Sequence, residues 1–183
     1  QITHEAEKFN ARSVPRPVVS RIDRNSTIRQ TLFRNSSDNQ HGGKFLKHTL
    51  LILTVVMLAV SLIAPIYPHE QTLQHAPTVI AILAMAMDTR RNWLSPVSFT
   101  CVAIFLWLHI LGARYIYSFV PYDDWAINLT GKSISDLWHW KRNQYDRIVH
   151  FLFGCLCIAP VAETALKYGK LSWPWAVAFA VLT

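Results

Sequence analysis

Leu50-Leu51-Ile52-Leu53-Thr54-Val55-Val56-Met57-Leu58-Ala59-Val60-Ser61-Leu62-Ile63 decides the fold. It is the heart of a charge-free run, residues 49–67, whose 19 positions, wound as a helix at about 1.5 Å per residue, cross roughly 30 Å of hydrocarbon. Pro65 and Pro68 stop it, because proline lacks the amide proton that a helix interior requires. Outward from this run the same pattern recurs. Half of the chain is hydrophobic (51%), and those residues are gathered in blocks rather than spread at the period of an amphipathic element, which marks a membrane protein rather than a globular core.

The reading is therefore all-α: a polytopic transmembrane helical bundle with four complete spans and the start of a fifth. The second span, residues 73–87, is 15 uncharged residues with His75 and Pro77 near its start, and Asp88-Thr89-Arg90-Arg91 closes it. The third runs over 93–119 and is uncharged as far as Ala113, with Trp93, Trp107, Tyr115 and Tyr117 placed for an interfacial aromatic belt. A loop over 120–144 carries Asp123, Asp124 and Asp136 among aromatic residues. The fourth span covers 145–166, and a fifth begins at Leu171 and stops at Thr183, too short for a crossing. Residues 1–43, rich in Arg, Asn and Ser without an apolar period, are expected to form a disordered basic tail ahead of a membrane domain over 44–183. A targeting peptide is disfavoured there, since no short apolar core with a small-residue cleavage site follows the basic residues.

The net charge of +7, from 18 Lys and Arg against 11 Asp and Glu, is no nucleic-acid signature here, because the basic residues cluster in the tail and at the edges of apolar blocks. Nine lie in the first 47 positions, two in the loop at Arg90–Arg91 and two at Lys167 and Lys170. By the positive-inside rule this puts the tail in the cytoplasm and the 120–144 loop outside. Cys101, Cys155 and Cys157 sit in apolar segments and read as small core residues; two positions apart on a helix, the last two point away from each other.

Ionisable groups at the edges of such spans are costly, so they are candidate functional residues. Arg142, Asp146 and His150 recur at i, i+4 and i+8, nearly one face of span four, with Gly154 continuing it. Gly112 lies one turn from His109 on span three. Small residues let helices approach closely, which predicts contact between spans three and four. In that antiparallel pair His109 and His150 would line one cleft with Asp146, where a carboxylate beside an imidazole makes a proton donor or acceptor. Asp146, His150 and His109 are thus the candidate catalytic residues; Arg142, Asn143, Arg147 and Tyr115 are candidates for binding a substrate. The bland alternatives are a helix-start Asp, a snorkelling Arg and a packed His. No metal or cofactor is expected: two histidines and a carboxylate are adequate ligands, but no H-E-x-x-H spacing occurs, nor any Gly-rich phosphate loop.

Arg142-Asn143-Gln144-Tyr145-Asp146-Arg147-Ile148-Val149-His150-Phe151-Leu152-Phe153-Gly154, preceded by His109-Ile110-Leu111-Gly112-Ala113-Arg114-Tyr115-Ile116-Tyr117 and followed by Glu163, resembles the YjdF-like bacterial inner-membrane family, a domain of unknown function, over residues 44–183. Asp146-Arg147-x-x-His150-Phe151 is more loosely similar to the signature of VanZ-like membrane proteins. The resemblance implies a bacterial inner-membrane location and a further helix with Tyr-Glu and Glu-Trp elements and an acidic segment beyond Thr183, so that this chain, which opens on Gln1 rather than Met, would be a C-terminally truncated copy. It implies no reaction. Two functions follow as expectations. One is an enzyme or carrier for a lipid-linked or amphipathic substrate. The other is a non-catalytic component in which the same residues clasp helices together and the tail meets membrane lipids or a partner.

Overall fold

The computed structural model describes residues 24–182, with side chains from residue 41. Seven helices occur among the described residues: α1 (Arg24–Ser61), α2 (Pro68–Arg91), α3 (Pro96–Arg114), α4 (Tyr122–Thr130), α5 (Ile134–Leu137), α6 (Tyr145–Lys167) and α7 (Trp173–Leu182). The chain divides into two units, and the bundle is the second, Gln40–Thr183. The disordered tail expected over 1–43 lies outside the described residues up to position 23. From Arg24 the backbone is helical, since residues 24–43 contain no proline to stop a helix propagating upstream from the apolar run.

The buried residues form stripes at the spacing of helix packing. On α1 they are Lys47, Leu50, Thr54 and Ser61; on α2 Gln71, His75, Thr78, Met85, Asp88 and Thr89; on α3 Phe99, Ala103, Leu106, Ile110 and Ala113. These steps of three, four and seven keep one seam of each helix against its neighbours. The polarity is inverted relative to a water-soluble protein: Lys47, Thr54, Gln71, His75 and Asp88 face inward, while Ile52, Val60, Leu73, Ile80 and Leu83 are exposed. In hydrocarbon this is the low-energy arrangement, because apolar side chains lose nothing by facing lipid and polar ones gain protein partners.

Three helices, His41–Ser61, Pro96–Arg114 and Tyr145–Lys167, are long and apolar enough to cross a membrane. Four complete spans were expected, and α2 fails on composition because it carries Gln71, His75 and Asp88. Its placement supplies what its composition lacks. Gln71 Nε2 donates to the Ser61 carbonyl at 2.7 Å, and at the other end Asp88 meets Lys47 at 2.7 Å. So α2 runs antiparallel to α1 from one end of the apolar segment to the other, over 24 residues, about 36 Å at 1.5 Å per residue. α3 runs parallel to α1, joined by Trp107 Nε1 donating to Thr54 Oγ1 at 2.9 Å and Arg114 donating to the Ser61 carbonyl at 2.5 Å. Trp107 is therefore an inter-helix donor rather than part of an aromatic belt.

The contact expected between spans three and four is present, for α3 packs on α6. Its cause differs from the one expected. A side chain at Gly154 would meet nothing within 4 Å, and one at Gly112 would run first into the Tyr117 ring of the following turn. Aromatic residues join the helices instead: Phe105 meets Phe153 with ring centroids 4.8 Å apart and the planes tilted by 55°, and the Tyr145 hydroxyl donates to the Leu108 carbonyl at 2.8 Å. α7 packs on α6 through buried Ala176 and Ala180. All three cysteines are free, and Cys155 is exposed rather than in the core.

The expected loop over 120–144 contains α4 and α5, fastened together by one carboxylate. Asp123 accepts from the Ser135 amide at 2.8 Å, the Ser135 hydroxyl at 2.5 Å and the Ser133 hydroxyl at 3.1 Å. Partial burial pushes its pKa up, but the Ser135, Ser133 and Ile134 hydrogen bonds outweigh this and hold the carboxyl below the ordinary 3.8. A lowered pKa stabilises the folded loop above the unfolded value, and that stability disappears as pH falls through the folded one. Amide protection factors across residues 133–137 are expected to fall in Asp123→Ala at neutral pH and in wild type only below about pH 4. Unchanged exchange in the variant would overturn this.

Candidate functional site

Polar side chains collect at both ends of the bundle. At the end where α3 meets the 120–144 loop, the chain turns sharply: Ile116 and Tyr117 adopt φ of 47° and 53°, a left-handed conformation that is strained for a β-branched residue. The Tyr117 amide donates back to the Gly112 carbonyl at 2.7 Å, which lays the Tyr117 ring over Gly112 and brings its hydroxyl to His109 Nδ1. His109 Nε2 lies 3.0 Å from the Gln74 carbonyl of α2. A carbonyl only accepts, so in the neutral ring Nε2 carries the proton and the Tyr117 hydroxyl donates to Nδ1. Both ring nitrogens are thereby engaged. Beside them on α2, buried His75 has Nε2 3.2 Å from both Ser61 Oγ and Gln71 Nε2.

The residues expected to act with His109 take other partners. His150 Nε2 lies 3.3 Å from Asp146 Oδ1 on the same helix, with the two side chains 77% and 48% exposed. The imidazole stands at a groove of about 490 Å³ between α6 and α7, lined also by Phe151, Gly154, Cys157 and Val181. Asp146 lies in the first turn of α6, where the helix dipole favours a carboxylate. Arg142 is exposed, and Arg147 reaches back to Gln144 Oε1 at 3.1 Å. Asn143 and Tyr115 are spent within the chain. Asn143 Nδ2 donates to the Val120 carbonyl at 2.7 Å while its Oδ1 accepts from the Tyr145 amide at 2.9 Å, and the Tyr115 ring meets Trp125 edge-on. The seven candidates thus separate into an inner set (His109, Asn143, Tyr115) and an outward-facing set (Asp146, His150, Arg142, Arg147).

At the opposite end lies a cluster that sequence reasoning missed. The α2–α3 turn is clamped by two lysine–carboxylate pairs. Lys47 Nζ bonds Asp88 Oδ2 at 2.7 Å and the Leu94 carbonyl at 2.7 Å, while Asp88 Oδ1 accepts from the Leu94 amide at 2.8 Å. Lys167 Nζ bonds Glu163 and the Trp93 carbonyl at 3.1 Å, while Glu163 accepts from the Ser95 amide at 2.7 Å. The first pair is almost fully enclosed, at 2% and 3% exposed. Lys47 reads as one of the tail's flanking cations, yet its place seven residues before Thr54 and fourteen before Ser61 puts it on their stripe. Among the described residues, no group of three or more His, Cys, Asp or Glu is placed to hold a metal.

An inverted burial pattern, apolar helices of membrane length and charged residues gathered at the two ends of the bundle define an α-helical integral membrane protein. A family model described as "Predicted membrane protein (DUF2238)" matches residues 46–183, and the chain belongs to that family, which is the YjdF family. No curated protein and no solved structure matches the chain.

Proposed function

We propose that this membrane protein binds an amphipathic or lipid-linked molecule at the loop-side ends of α3 and α6, with Asp146 and His150 orienting its polar part or exchanging a proton with it. The observation that supports this is the His150–Asp146 pair itself, which faces outward from an apolar helix beside exposed Phe151 and Phe153. An ionisable pair so placed is costly against hydrocarbon alone and becomes favourable when a polar headgroup meets it. The α6–α7 groove running from His150 supplies an apolar bed for the rest of such a molecule, and exposed Arg142 and Arg147 suit a phosphate. The excess of Lys and Arg in the tail and in the 88–92 and 167–170 loops supports, by the positive-inside rule, a reading with this end outside and the N-terminus in the cytoplasm, and the proposed membrane is a bacterial inner one.

The inner set favours the clasp as its own role, since His109, Asn143 and Tyr115 direct their polar or aromatic groups to other parts of the same chain. Thermal unfolding in detergent, with and without a membrane lipid extract, separates the two. Exposed pairs contribute little to folding, so His150→Ala and Asp146→Asn are expected to unfold within about 0.5 kcal/mol of wild type. Both should lose the stabilisation that the extract confers on wild type. His109→Ala, in contrast, should unfold early in either condition. If the extract stabilises wild type and both α6 variants equally, the binding role of Asp146 and His150 is refuted.

A further inference from the structure

The clamped turn roofs a second cavity, of about 390 Å³, lined by Ala81, Ala84, Met85, Phe99, Val102 and the Trp93 ring. Its lining is mostly apolar; of the polar side chains, Asp88 has both oxygens taken by Lys47 and the Leu94 amide, the Thr164 hydroxyl donates to the Pro160 carbonyl, and Tyr168 stands on the α6 side. Cavities of this volume hold small organic ligands or part of a larger one. An interior whose lining is mainly Ala, Met, Phe, Val and Leu suits a hydrocarbon chain better than a polar molecule.

The mouth has the opposite character. Trp93 is touched by two cations: the Arg91 guanidinium lies 5.2 Å from its ring centroid, and Lys167 donates to its carbonyl. Lys47 balances Asp88 and Lys167 balances Glu163. That leaves Lys44, Arg90, Arg91 and Lys170, all exposed and none paired with a carboxylate among the described residues, as uncompensated positive charge at this end of the bundle. Each cation near a membrane surface adds to the attraction for anionic lipid, and a guanidinium held over an indole keeps its fork free for a phosphate.

We infer that this end carries an anionic phospholipid site, in which one acyl chain enters the cavity between α2, α3 and α6 and the phosphate is met by Arg91 beside Trp93. The site is separate from the Asp146–His150 end and does not depend on how that end is read. Binding there would fasten the α2–α3 turn to α6, the same two elements that the Glu163–Lys167 pair joins.

The test is native mass spectrometry and thermal unfolding of the detergent-solubilised full chain, titrated with phosphatidylglycerol or with phosphatidylcholine of identical acyl chains. Wild type is expected to retain phosphatidylglycerol at least several-fold more strongly and to be stabilised by it. Arg91→Gln should bring the two lipids to parity without lowering the unfolding temperature in detergent alone. Ala84→Phe, which fills the cavity from its wall, should reduce retention of both. Equal retention of the two lipids by wild type, or undiminished selectivity in Arg91→Gln, would overturn the proposal. If Ala84→Phe fails to fold, Ala81→Val at the same wall gives the same reading.

Discussion

Lys47→Met is expected to destabilise the bundle by about 3–5 kcal/mol, the cost of leaving a partner carboxylate charged and enclosed. The cause is local and specific. Asp88 is 3% exposed and Lys47 is its cationic partner, so removing the ammonium strands the carboxylate beside Phe99 and the apolar cavity. The turn suffers as well, because Lys47 also holds the Leu94 carbonyl. Asp88→Asn should be milder, since the amide keeps an acceptor for the Leu94 amide while losing the charge. The double replacement Lys47→Met with Asp88→Leu should recover a large part of the loss, as apolar substitutes for buried pairs usually do. Fluorescence-detected unfolding in detergent measures all four proteins. If Lys47→Met unfolds as wild type does, the pair is not enclosed in the way described.

Gly112→Ala is the second large effect, and it acts through Tyr117 rather than through a neighbouring helix. A Cβ at position 112 would lie 2.6 and 2.7 Å from two carbons of the Tyr117 ring, so the ring must move. The turn beneath it is already strained at Ile116, and the ring's hydroxyl is bound to His109. Overpacking of this kind costs about 1–3 kcal/mol. In a Tyr117→Ala background the obstruction is gone, and adding Gly112→Ala should be nearly neutral or stabilising through helix propensity. A double-mutant cycle in unfolding free energy reads the coupling directly. Additivity of the two changes would show that the ring does not rest on Gly112.

The charge-free runs made the three apolar helices readable; the α3–α6 contact was expected from Gly112 and Gly154, and aromatic residues make it instead. Which face of each helix turns inward was harder to see, because in a span that is apolar all round hydrophobicity carries no direction. Direction lay in the exceptions. Lys47, Thr54 and Ser61 share one stripe, as do Gln71, His75 and Thr78, and each set is buried. The reading centred on His109, His150 and Asp146 followed the most unusual local spacing, and so paired His109 with α6. The structure turns it to α2 and Tyr117, through a turn with two successive left-handed residues that no sequence rule for Ile-Tyr would propose. Lys47 and Asp88, 41 residues apart, could be matched only once α2 was known to return along the full length of α1.

That return has a consequence for how the protein enters a bilayer. α2 leaves the ribosome carrying Gln71, His75 and Asp88 on one stripe, and a translocon that tested it alone would find a segment unwilling to partition into lipid. Its first partners are already synthesised by then: Ser61 and Lys47 both belong to α1. Entry of the two helices as a hairpin is the expected route, because the polar stripe of α2 finds its partners on α1 and α1 is made first.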